Sequence, residues 1–144
     1  MNLVIRPATL PEAPVLAAIE RESFGRPHWS VEDFRRYDSL VADTGGQIVG
    51  FLVSRQTWAS LNGLPAEREI LNVAVLPSHR RMGVASALLN RELSRYATFF
   101  LEVRESNTAA QELYRHFGFT EIDRRPNYYQ YPSETAIVMR MKRR

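Results

Sequence analysis

Residues 72–89 read NVAVLPSHRRMGVASALL, and this stretch decides how the rest of the chain is interpreted. The apolar, β-branched residues before Pro77 are typical of a buried strand, and after the turn the apolar positions recur at helical spacing. We therefore expect a strand that ends at Pro77, a turn around Gly83 and a helix from about Arg81 to Tyr96.

The turn that opens this helix is suited to an anion. The first amide groups of a helix have no acceptor within it and lie at the positive end of its dipole. Gly83 and Ala85 add little side-chain bulk there, while Arg80 and Arg81 add positive charge. The spacing matches neither a Walker A loop nor the triple-glycine dinucleotide fingerprint, so kinase and dehydrogenase interpretations are weak. An ordinary helix start stays an alternative explanation.

Strand and helix signals alternate from this segment to the C-terminus. We expect strands at TFFLEV (98–103), TEIDRR (120–125) and TAIVMRM (135–141), with a helix from about Thr108 to Phe117. Such short intervals favour right-handed crossovers and a parallel strand pair.

The sequence pattern of the N-terminal half predicts antiparallel strands. Its expected elements are an edge strand at NLVIRPA (2–8), a helix at about 11–24 with a Thr9/Glu12 capping box, a break at GRPHWS (25–30), a short helix from the Ser30 cap through Phe34, and a hairpin around Gly45-Gly46. The fold class is therefore α/β (α+β), with a mixed, mostly antiparallel central sheet and helices on both faces.

Composition limits the function classes. The 144 residues, 44% of them hydrophobic and 24% charged, predict one globular domain over residues 1–144. The chain has no Cys, so disulfides, thiolate nucleophiles and thiolate-bound metals are excluded. No secretory signal or membrane span is expected, which predicts a cytoplasmic protein. His28, His79 and His116 are far apart, so no metal site is expected. The net charge of +3 and the basic end MRMKRR indicate a surface that tolerates anions.

Glu102 is a candidate site carboxylate. Strand alternation places it with Phe100 and Arg104 on one face of the TFFLEV strand, near the C-terminal end where open sheets hold their ligands. The alternative is a carboxylate that pairs with Arg104 or another arginine.

The next helix carries polar groups on one face. Asn107 is a helix cap, and Ala110, Gln111 and Tyr114 follow it at offsets of three, four and seven. An amide and a phenol could therefore face the same crevice. For Tyr114 the alternative is a packed ring with its hydroxyl at the surface.

Four segments together resemble one family. The helix-opening turn resembles the acyl-CoA-binding signature Gln/Arg-x-x-Gly-x-Gly/Ala of the GCN5-related N-acetyltransferases (GNAT). The segments LEVRESNTAAQELYRHFGF (101–119), WSVEDF (29–34) and RRPNYYQYPSETAIVM (124–139) resemble the same family, and more narrowly its ribosomal-protein-alanine N-acetyltransferases of the RimI type.

The resemblance implies residue roles. It implies a parallel, splayed strand pair at a cofactor site for acetyl-CoA, Glu102 as general base, Tyr114 as general acid, and Tyr128 and Tyr129 as a wall of the peptide entrance. Trp29, in the loop between the first two helices, is the candidate for the opposite wall. The alternative for the three aromatic residues is ordinary packing. The implied cofactor-binding residues are Val73, Ala74 and Val75 along the pantetheine arm, Arg80, Arg81, Met82, Gly83, Val84, Ala85 and Ser86 at the pyrophosphate, and Asn107.

The chain departs from the family pattern where the acceptor would bind. Pro126 changes the spacing between Arg125 and the paired tyrosines, and the usual acidic loop is reduced to Ser133-Glu134-Thr135. The implied acceptor is the N-terminal amine of a protein, such as the alanine of a ribosomal protein, attacked directly in a ternary complex. A small amine, a lysine side chain or an aminoacyl-tRNA stays open. A second class, an RNA- or ribosome-binding module, is motivated by the arginine content, although acidic residues are interspersed with the basic ones. We expect a monomer or weak homodimer, with no membrane contact and no nucleic-acid partner.

Overall fold

A computed structural model describes residues 1–24, 29–130 and 132–142. Part of the expected break at GRPHWS, including His28, and the last two residues of the basic end lie outside the described residues. None of the described helices is both long and apolar enough to cross a membrane.

Seven strands and four α-helices make up the described fold. The strands are β1 (Leu3–Pro7), β2 (Asp38–Thr44), β3 (Gln47–Trp58), β4 (Ala66–Val75), β5 (Ala97–Arg104), β6 (Thr120–Tyr129) and β7 (Glu134–Met141). The helices are α1 (Ala13–Phe24), α2 (Val31–Arg36), α3 (Val84–Leu93) and α4 (Thr108–His116), with single 3-10 turns at Leu10–Glu12 and Pro77–His79.

The strands form one mixed sheet in the order β1-β2-β3-β4-β5-β7-β6. The pairs β1/β2, β2/β3, β5/β7 and β6/β7 are antiparallel, whereas β4 and β5 are parallel. The parallel register runs from Ala66↔Ala97 to Ile70↔Leu101. The predicted fold class, with its parallel pair in a mostly antiparallel sheet and flanking helices, is confirmed.

Helix α3 begins three residues later than predicted and ends at Leu93, three residues before the predicted end at Tyr96. Arg81 and Gly83 both have positive φ angles, 61° and 80°, so residues 81–83 form the turn and the helix starts at Val84. The strand before it ends at Val75 instead of Pro77, because Pro77 opens a 3-10 turn. Gly83 meets the left-handed conformation without the steric cost that another residue would have.

Strand β6 is longer than predicted and irregular. The expectation ended it at Arg125, but it continues to Tyr129 and pairs with β7, with register shifts between Glu121 and Asp123 and between Arg125 and Tyr129. β-Bulges of this kind insert residues into one strand without a partner residue opposite. The second shift contains Pro126, the residue that departs from the family spacing.

The chain divides into two compact units. The first comprises Met1–Arg55 and Leu71–Arg95, and the second comprises Gln56–Ile70 and Tyr96–Arg144. The core of the first unit contains buried side chains from α1, α2, β2, β3 and the end of β4, among them Leu16, Phe34 and Phe51. The division by contacts does not test the expectation of a single domain over residues 1–144.

An ion-paired cluster joins three segments of the first unit. The guanidinium of Arg6 on β1 donates to both carboxylate oxygens of Glu12, at 2.9 and 2.7 Å, and to Asp43 on β2 at 3.2 Å. Glu12 also accepts the backbone N–H of Thr9 at 2.8 Å, as the expected capping box requires. The hydrogen bonds from Arg6 and from the Thr9 backbone lower the pKa of Glu12 to about 2.

Strand β5 alternates strictly in the second unit. Phe99, Leu101 and Val103 are buried, whereas Phe100, Glu102 and Arg104 are half-buried on the other face. This is the predicted division of faces. Its consequence is that Glu102 and Arg104 lie on the same side of the sheet, two residues apart.

Candidate active site

The N-terminus of α3 presents free amide groups. The first i→i−4 bond of the helix joins the amide of Ala87 to the carbonyl of Gly83 at 3.0 Å, so the amides of Val84, Ala85 and Ser86 precede it and have no acceptor in the helix. Gly83 is exposed, and a Cβ there would meet no atom within 4 Å. The first unit therefore offers an open set of backbone donors at the positive end of a helix dipole.

Gly50 on β3 allows the backbone to pack closely against this helix start. A Cβ at position 50 would stand 2.9 Å from the carbonyl oxygen of Ala74, 3.2 Å from Val84 and 3.3 Å from Val75. Contacts below 3.0 Å to backbone are not tolerated without movement. Glycine at this position therefore lets the end of β4 and the start of α3 lie against β3.

The two arginines predicted to attract phosphate lie in different settings. The side chain of Arg80 donates from Nε to the carbonyl of Val75 at 3.1 Å, which ties it back to the end of β4. Arg81 is exposed and holds the left-handed turn conformation. Met82 between them and the helix is also exposed.

The two carboxylate oxygens of Glu102 differ in the second unit. Oε1 accepts a hydrogen bond from Nη1 of Arg125 at 3.0 Å. Oε2 is buried and has no hydrogen-bond partner among the described residues. The predicted alternative of an arginine partner is thus realised for one oxygen, while the other is an unsatisfied acceptor, which is costly in a folded protein without a further donor.

Two arginine–tyrosine stacks lie beside this carboxylate. The Cζ atom of Arg125 lies 4.3 Å from the ring centroid of Tyr128, and that of Arg104 lies 4.5 Å from the ring centroid of Tyr129. The two tyrosine rings meet edge to face, with centroids 5.1 Å apart. The predicted aromatic pair therefore forms one cluster with Glu102.

The paired tyrosines keep their protons more strongly than free tyrosine does. Burial raises the pKa of Tyr129 and of Tyr128, and the negative charge of Glu102 raises both further. Arg125 partly offsets the effect at Tyr128 and Arg104 at Tyr129. At neutral pH both hydroxyls are hydrogen-bond donors.

Helix α4 is anchored to the end of β5 by a buried amide. The side-chain Nε2 of Gln111 donates to the carbonyls of Arg104 at 3.1 Å and Glu105 at 2.8 Å. Asn107 caps the helix by accepting the amide of Ala110 at 3.1 Å, as expected. The predicted contact of Asn107 with CoA stays a prediction.

Tyr114 lies one turn further along α4. Its ring packs edge to face on Phe119, with centroids 5.8 Å apart. Burial raises the pKa of Tyr114 to about 12. The hydroxyl is therefore protonated over the whole physiological range, as a hydrogen-bond donor must be.

Trp29 packs on the core of the first unit. Its ring lies 5.2 Å from that of Phe34 and 5.5 Å from that of Tyr37. Its backbone amide donates to Oε1 of the buried Glu20 at 2.9 Å. Trp29 therefore packs in the way that the alternative explanation, ordinary packing, expects. Its role as a wall for the acceptor stays a prediction.

Sequence reasoning missed two residues of the second unit. Arg125 contacts Glu102 from a strand two places away in the sheet, and Gln111 was assigned only to a helical face. For Gln111 the available signal is a polar side chain in the first turn of a helix, which does not reveal its burial. In the first unit, the structure brings together the end of β4 and the start of α3. In the second unit, it brings together Glu102, Tyr128 and Tyr129.

Similarity to known proteins identifies the family to which the chain belongs. The sequence model of the Acetyltransferase (GNAT) family matches residues 10–119. The chain is 32% identical to an N-alpha-acetyltransferase of Sulfurisphaera tokodaii, over 78% of this chain and 74% of the relative. It is 33% identical to the [Ribosomal protein bS18]-alanine N-acetyltransferase of Escherichia coli K12, over 89% of each.

A solved structure shares the fold along nearly the whole chain. The crystal structure of the ribosomal-protein-S18-alanine N-acetyltransferase from Escherichia coli superposes with a TM-score of 0.82 at 31% identity. The match covers 96% of this chain and 92% of that one.

Proposed function

The chain belongs to the acetyltransferase (GNAT) family and is an acetyl-CoA-dependent acyltransferase, and on that premise we propose that it acetylates the α-amine of a protein N-terminus. Relatives named N-alpha-acetyltransferase and ribosomal-protein-alanine N-acetyltransferase support this acceptor class. The acceptor we propose is an N-terminal alanine, including that of a ribosomal protein.

The observation that carries the proposal is the open oxygen of Glu102. A buried carboxylate oxygen without a donor costs about 1–3 kcal/mol, which a bound donor would recover. The α-ammonium group of a peptide supplies such a donor and is also the group that must lose a proton, since its pKa is about 8. Glu102 is thus both the binding partner and the general base for the amine.

The donor half of the reaction is assigned to the first unit. The free amides of Val84, Ala85 and Ser86 would hold the pyrophosphate of acetyl-CoA, with Arg80 and Arg81 adding positive charge nearby. The segment Val73-Ala74-Val75 would bind the pantetheine arm through its main chain. The end of the β4–β5 parallel register at Ile70, before this segment, supports that role.

The reaction is a direct transfer. The amine nitrogen attacks the thioester carbonyl carbon, the new C–N bond forms as the C–S bond breaks, and Glu102 takes the proton from nitrogen. The absence of cysteine from the chain excludes an acetyl-cysteine intermediate. No residue of the chain needs to carry the acetyl group.

Tyr114 would act on the departing sulfur. A thiol has a pKa of about 8.5, so full proton transfer from a tyrosine with a pKa of about 12 would be uphill by about 5 kcal/mol. We therefore assign Tyr114 the donation of a hydrogen bond to the developing thiolate, which stabilises negative charge without ionising the phenol.

The acidic residue left in the β6–β7 turn is already engaged. Glu134 accepts hydrogen bonds from Arg104 at 3.2 Å and from the amide of Ser106. It is therefore not available to bind a basic side chain of the acceptor. Peptide choice in this protein would depend on Tyr128, Tyr129 and the first acceptor residue.

The test is a panel of peptides that differ in their first residue, incubated with acetyl-CoA and read by mass spectrometry. We expect acetylation at the N-terminal nitrogen, with alanine among the best first residues. A peptide with a blocked N-terminus and an internal lysine should remain unmodified. Acetylation of that blocked peptide at rates equal to the free one would contradict the proposed acceptor class.

The catalytic assignments are tested by Glu102→Gln, followed through thiol release. We expect kcat to fall by about 100-fold or more, since a general base contributes about 10²–10⁴-fold. Glu105→Gln is the matched control, because Glu105 lies three residues along the same segment and its side chain is 50% exposed. Equal rates for wild type and Glu102→Gln would overturn the role of Glu102.

A further inference from the structure

The carboxylate of Glu102 is held from one side only. Its Oε1 atom accepts from Arg125 at 3.0 Å, and its Oε2 atom is buried without a partner in the described part of the chain. A carboxylate fixed at one oxygen presents a single acceptor to an incoming group. The residue that fixes it therefore influences where the acceptor amine binds.

The sheet register explains how Arg125 reaches Glu102. Arg104 on β5, Ala136 on β7 and Arg125 on β6 are paired in one row, and paired residues lie on the same face. Glu102 lies on that face too, two residues before Arg104. Because Ala136 carries only a methyl group, the Arg125 side chain can cross β7 to the carboxylate.

The bulge in β6 fixes the same guanidinium from a second direction. Between Arg125 and Tyr129 the register with β7 shifts, and Asn127 within the shift has a φ angle of 56°. This bulge places the ring of Tyr128 4.3 Å from the Cζ atom of Arg125. Arginine stacked on an aromatic ring loses little further freedom on forming a hydrogen bond.

We propose that Arg125 is a positioning residue for the acetyl transfer: it holds Oε1 of Glu102 so that Oε2 alone receives the acceptor amine and its proton. This inference rests on the proposed function, because it assigns to Glu102 the role of base. Arg125 acts through Glu102 and is assigned no contact with the reacting atoms.

The contacts of Arg125 favour this role over a structural one. Its side chain is 52% exposed, and exposed ion pairs contribute only about 0–1 kcal/mol to stability. Arg104 in the same row differs, since it donates to the carbonyls of Pro132 and Gln130 and to Glu134, and so anchors the β6–β7 turn. Arg125 has no such carbonyl partner among the described residues.

The experiment compares Arg125→Ala, Arg125→Lys and the control Arg124→Ala by steady-state kinetics with acetyl-CoA and a peptide with a free N-terminus that the panel identifies as a substrate. Arg124 is the adjacent arginine, has a side chain 51% exposed, and pairs with Glu121 and Glu105 instead. We expect Arg125→Ala to lower kcat about 10- to 100-fold, as misplaced catalytic groups do, with the KM for acetyl-CoA within about twofold of wild type. Arg124→Ala should retain the wild-type kcat.

Chemical rescue separates positioning from folding. Methylguanidine added to Arg125→Ala should restore kcat at least about fivefold, and Arg125→Lys should retain more activity than Arg125→Ala, because both return a cationic donor to Oε1. Methylguanidine should not change the kcat of the control Arg124→Ala. Thermal unfolding of Arg125→Ala should stay close to wild type, and should that variant not fold, Arg125→Gln takes its place in the same measurements.

A double mutant identifies the residue through which Arg125 acts. In the Glu102→Gln background, removal of Arg125 should cost less than about twofold in kcat, since the two residues form one unit. The inference would be overturned if removal of Arg125 lowered kcat as much in the Glu102→Gln background as in wild type. It would also be overturned by a kcat of Arg125→Ala within twofold of wild type, or by a fall in kcat that neither lysine at position 125 nor methylguanidine restores. If Arg125→Ala is active and Glu102→Gln is inactive, only the role of Arg125 is overturned. If Glu102→Gln has wild-type activity, the proposed function and this inference are overturned together.

Discussion

The side-chain amide of Gln111 donates to the backbone carbonyl of Glu105 at 2.8 Å, which joins helix α4 to the end of strand β5. Gln111 is 5% exposed, so water cannot replace this bond. Together with the amide of Asn107, which donates to the Arg104 carbonyl at 2.9 Å, this bond joins the helix that carries Tyr114 to the strand that carries Glu102.

Replacement of Gln111 by leucine should destabilise the protein and slow the transfer. The Glu105 carbonyl loses its side-chain donor, whereas the Arg104 carbonyl keeps the amide of Asn107. We expect a cost of about 1–3 kcal/mol for the lost partner and a shift of Tyr114 with its helix. Chemical denaturation and kcat measure the two effects. Glu112→Leu, on the exposed side of the same helix, is the control, and unchanged stability of Gln111→Leu would contradict the anchoring role.

Replacement of Gly50 by alanine should weaken the binding of acetyl-CoA. The new Cβ would meet the Ala74 carbonyl at 2.9 Å, so the end of β4 or the start of α3 must move, at about 1–3 kcal/mol. Isothermal titration with acetyl-CoA should give a Kd at least about fivefold higher.

The control for Gly50→Ala is Gly45→Ala in the β2–β3 turn. Gly45 has a φ of 60° and open space around it, so alanine there costs conformational energy without touching α3. Both variants should be less stable than wild type, and only Gly50→Ala should lose affinity. Equal affinities in the two variants would show that Gly50 has no part in cofactor binding.

Replacement of Tyr114 by phenylalanine should lower kcat by about 10- to 100-fold at every pH from 6 to 10, because one charge-stabilising donor is lost. Since the pKa of Tyr114 is about 12, wild-type kcat should show no alkaline decline from its ionisation below about pH 11. The pH profile of thiol release measures both points. A fall in wild-type kcat centred near pH 9 that is absent from Tyr114→Phe would contradict the raised pKa of Tyr114.

Replacement of Glu12 by glutamine should change the response of stability to acid. The pKa of Glu12 is lowered from the ordinary 4.5 of a glutamate to about 2 in the folded protein. Its contribution to the free energy of unfolding is therefore present above about pH 5 and is lost as pH falls towards 2. With allowance for partial solvent screening, we expect Glu12→Gln to lose about 1–2 kcal/mol at pH 7 and less at pH 3.

Denaturant unfolding at pH 7, 5 and 3 measures this dependence. Glu22→Gln on the exposed side of α1 is the control and should follow wild type at each pH. A constant difference between Glu12→Gln and wild type at all three values would mean that the Arg6–Glu12 pair is not the acid-sensitive element.

The order of strands and helices could be predicted from the sequence because local patterns determine it. Apolar alternation gave the two faces of β5, and the Gly45-Gly46 pair gave the hairpin. The start of α3 was placed too early, because the helical periodicity extends through Arg81 while the left-handed conformations at Arg81 and Gly83 do not show in it.

The contacts of the candidate site could be predicted only in part. Glu102, Tyr128 and Tyr129 were identified through family motifs, but the pairing of Glu102 with Arg125 depends on strand order and on a bulge. Neither feature has a local signature, since the two residues are 23 positions apart in the sequence. The same is true of Gln111, whose burial follows from the packing of α4 on β5.

The irregular stretch of β6 makes this edge of the sheet adjustable in length. A bulge absorbs added residues in one strand while the paired strand keeps its own residues, so Ile137 and Met139 of β7 stay buried. The stretch from Arg125 to Tyr129 also supplies a cation and two rings to the candidate site. Insertions and deletions here would thus change the walls of the proposed acceptor site while leaving the hydrophobic interior and the first unit unchanged.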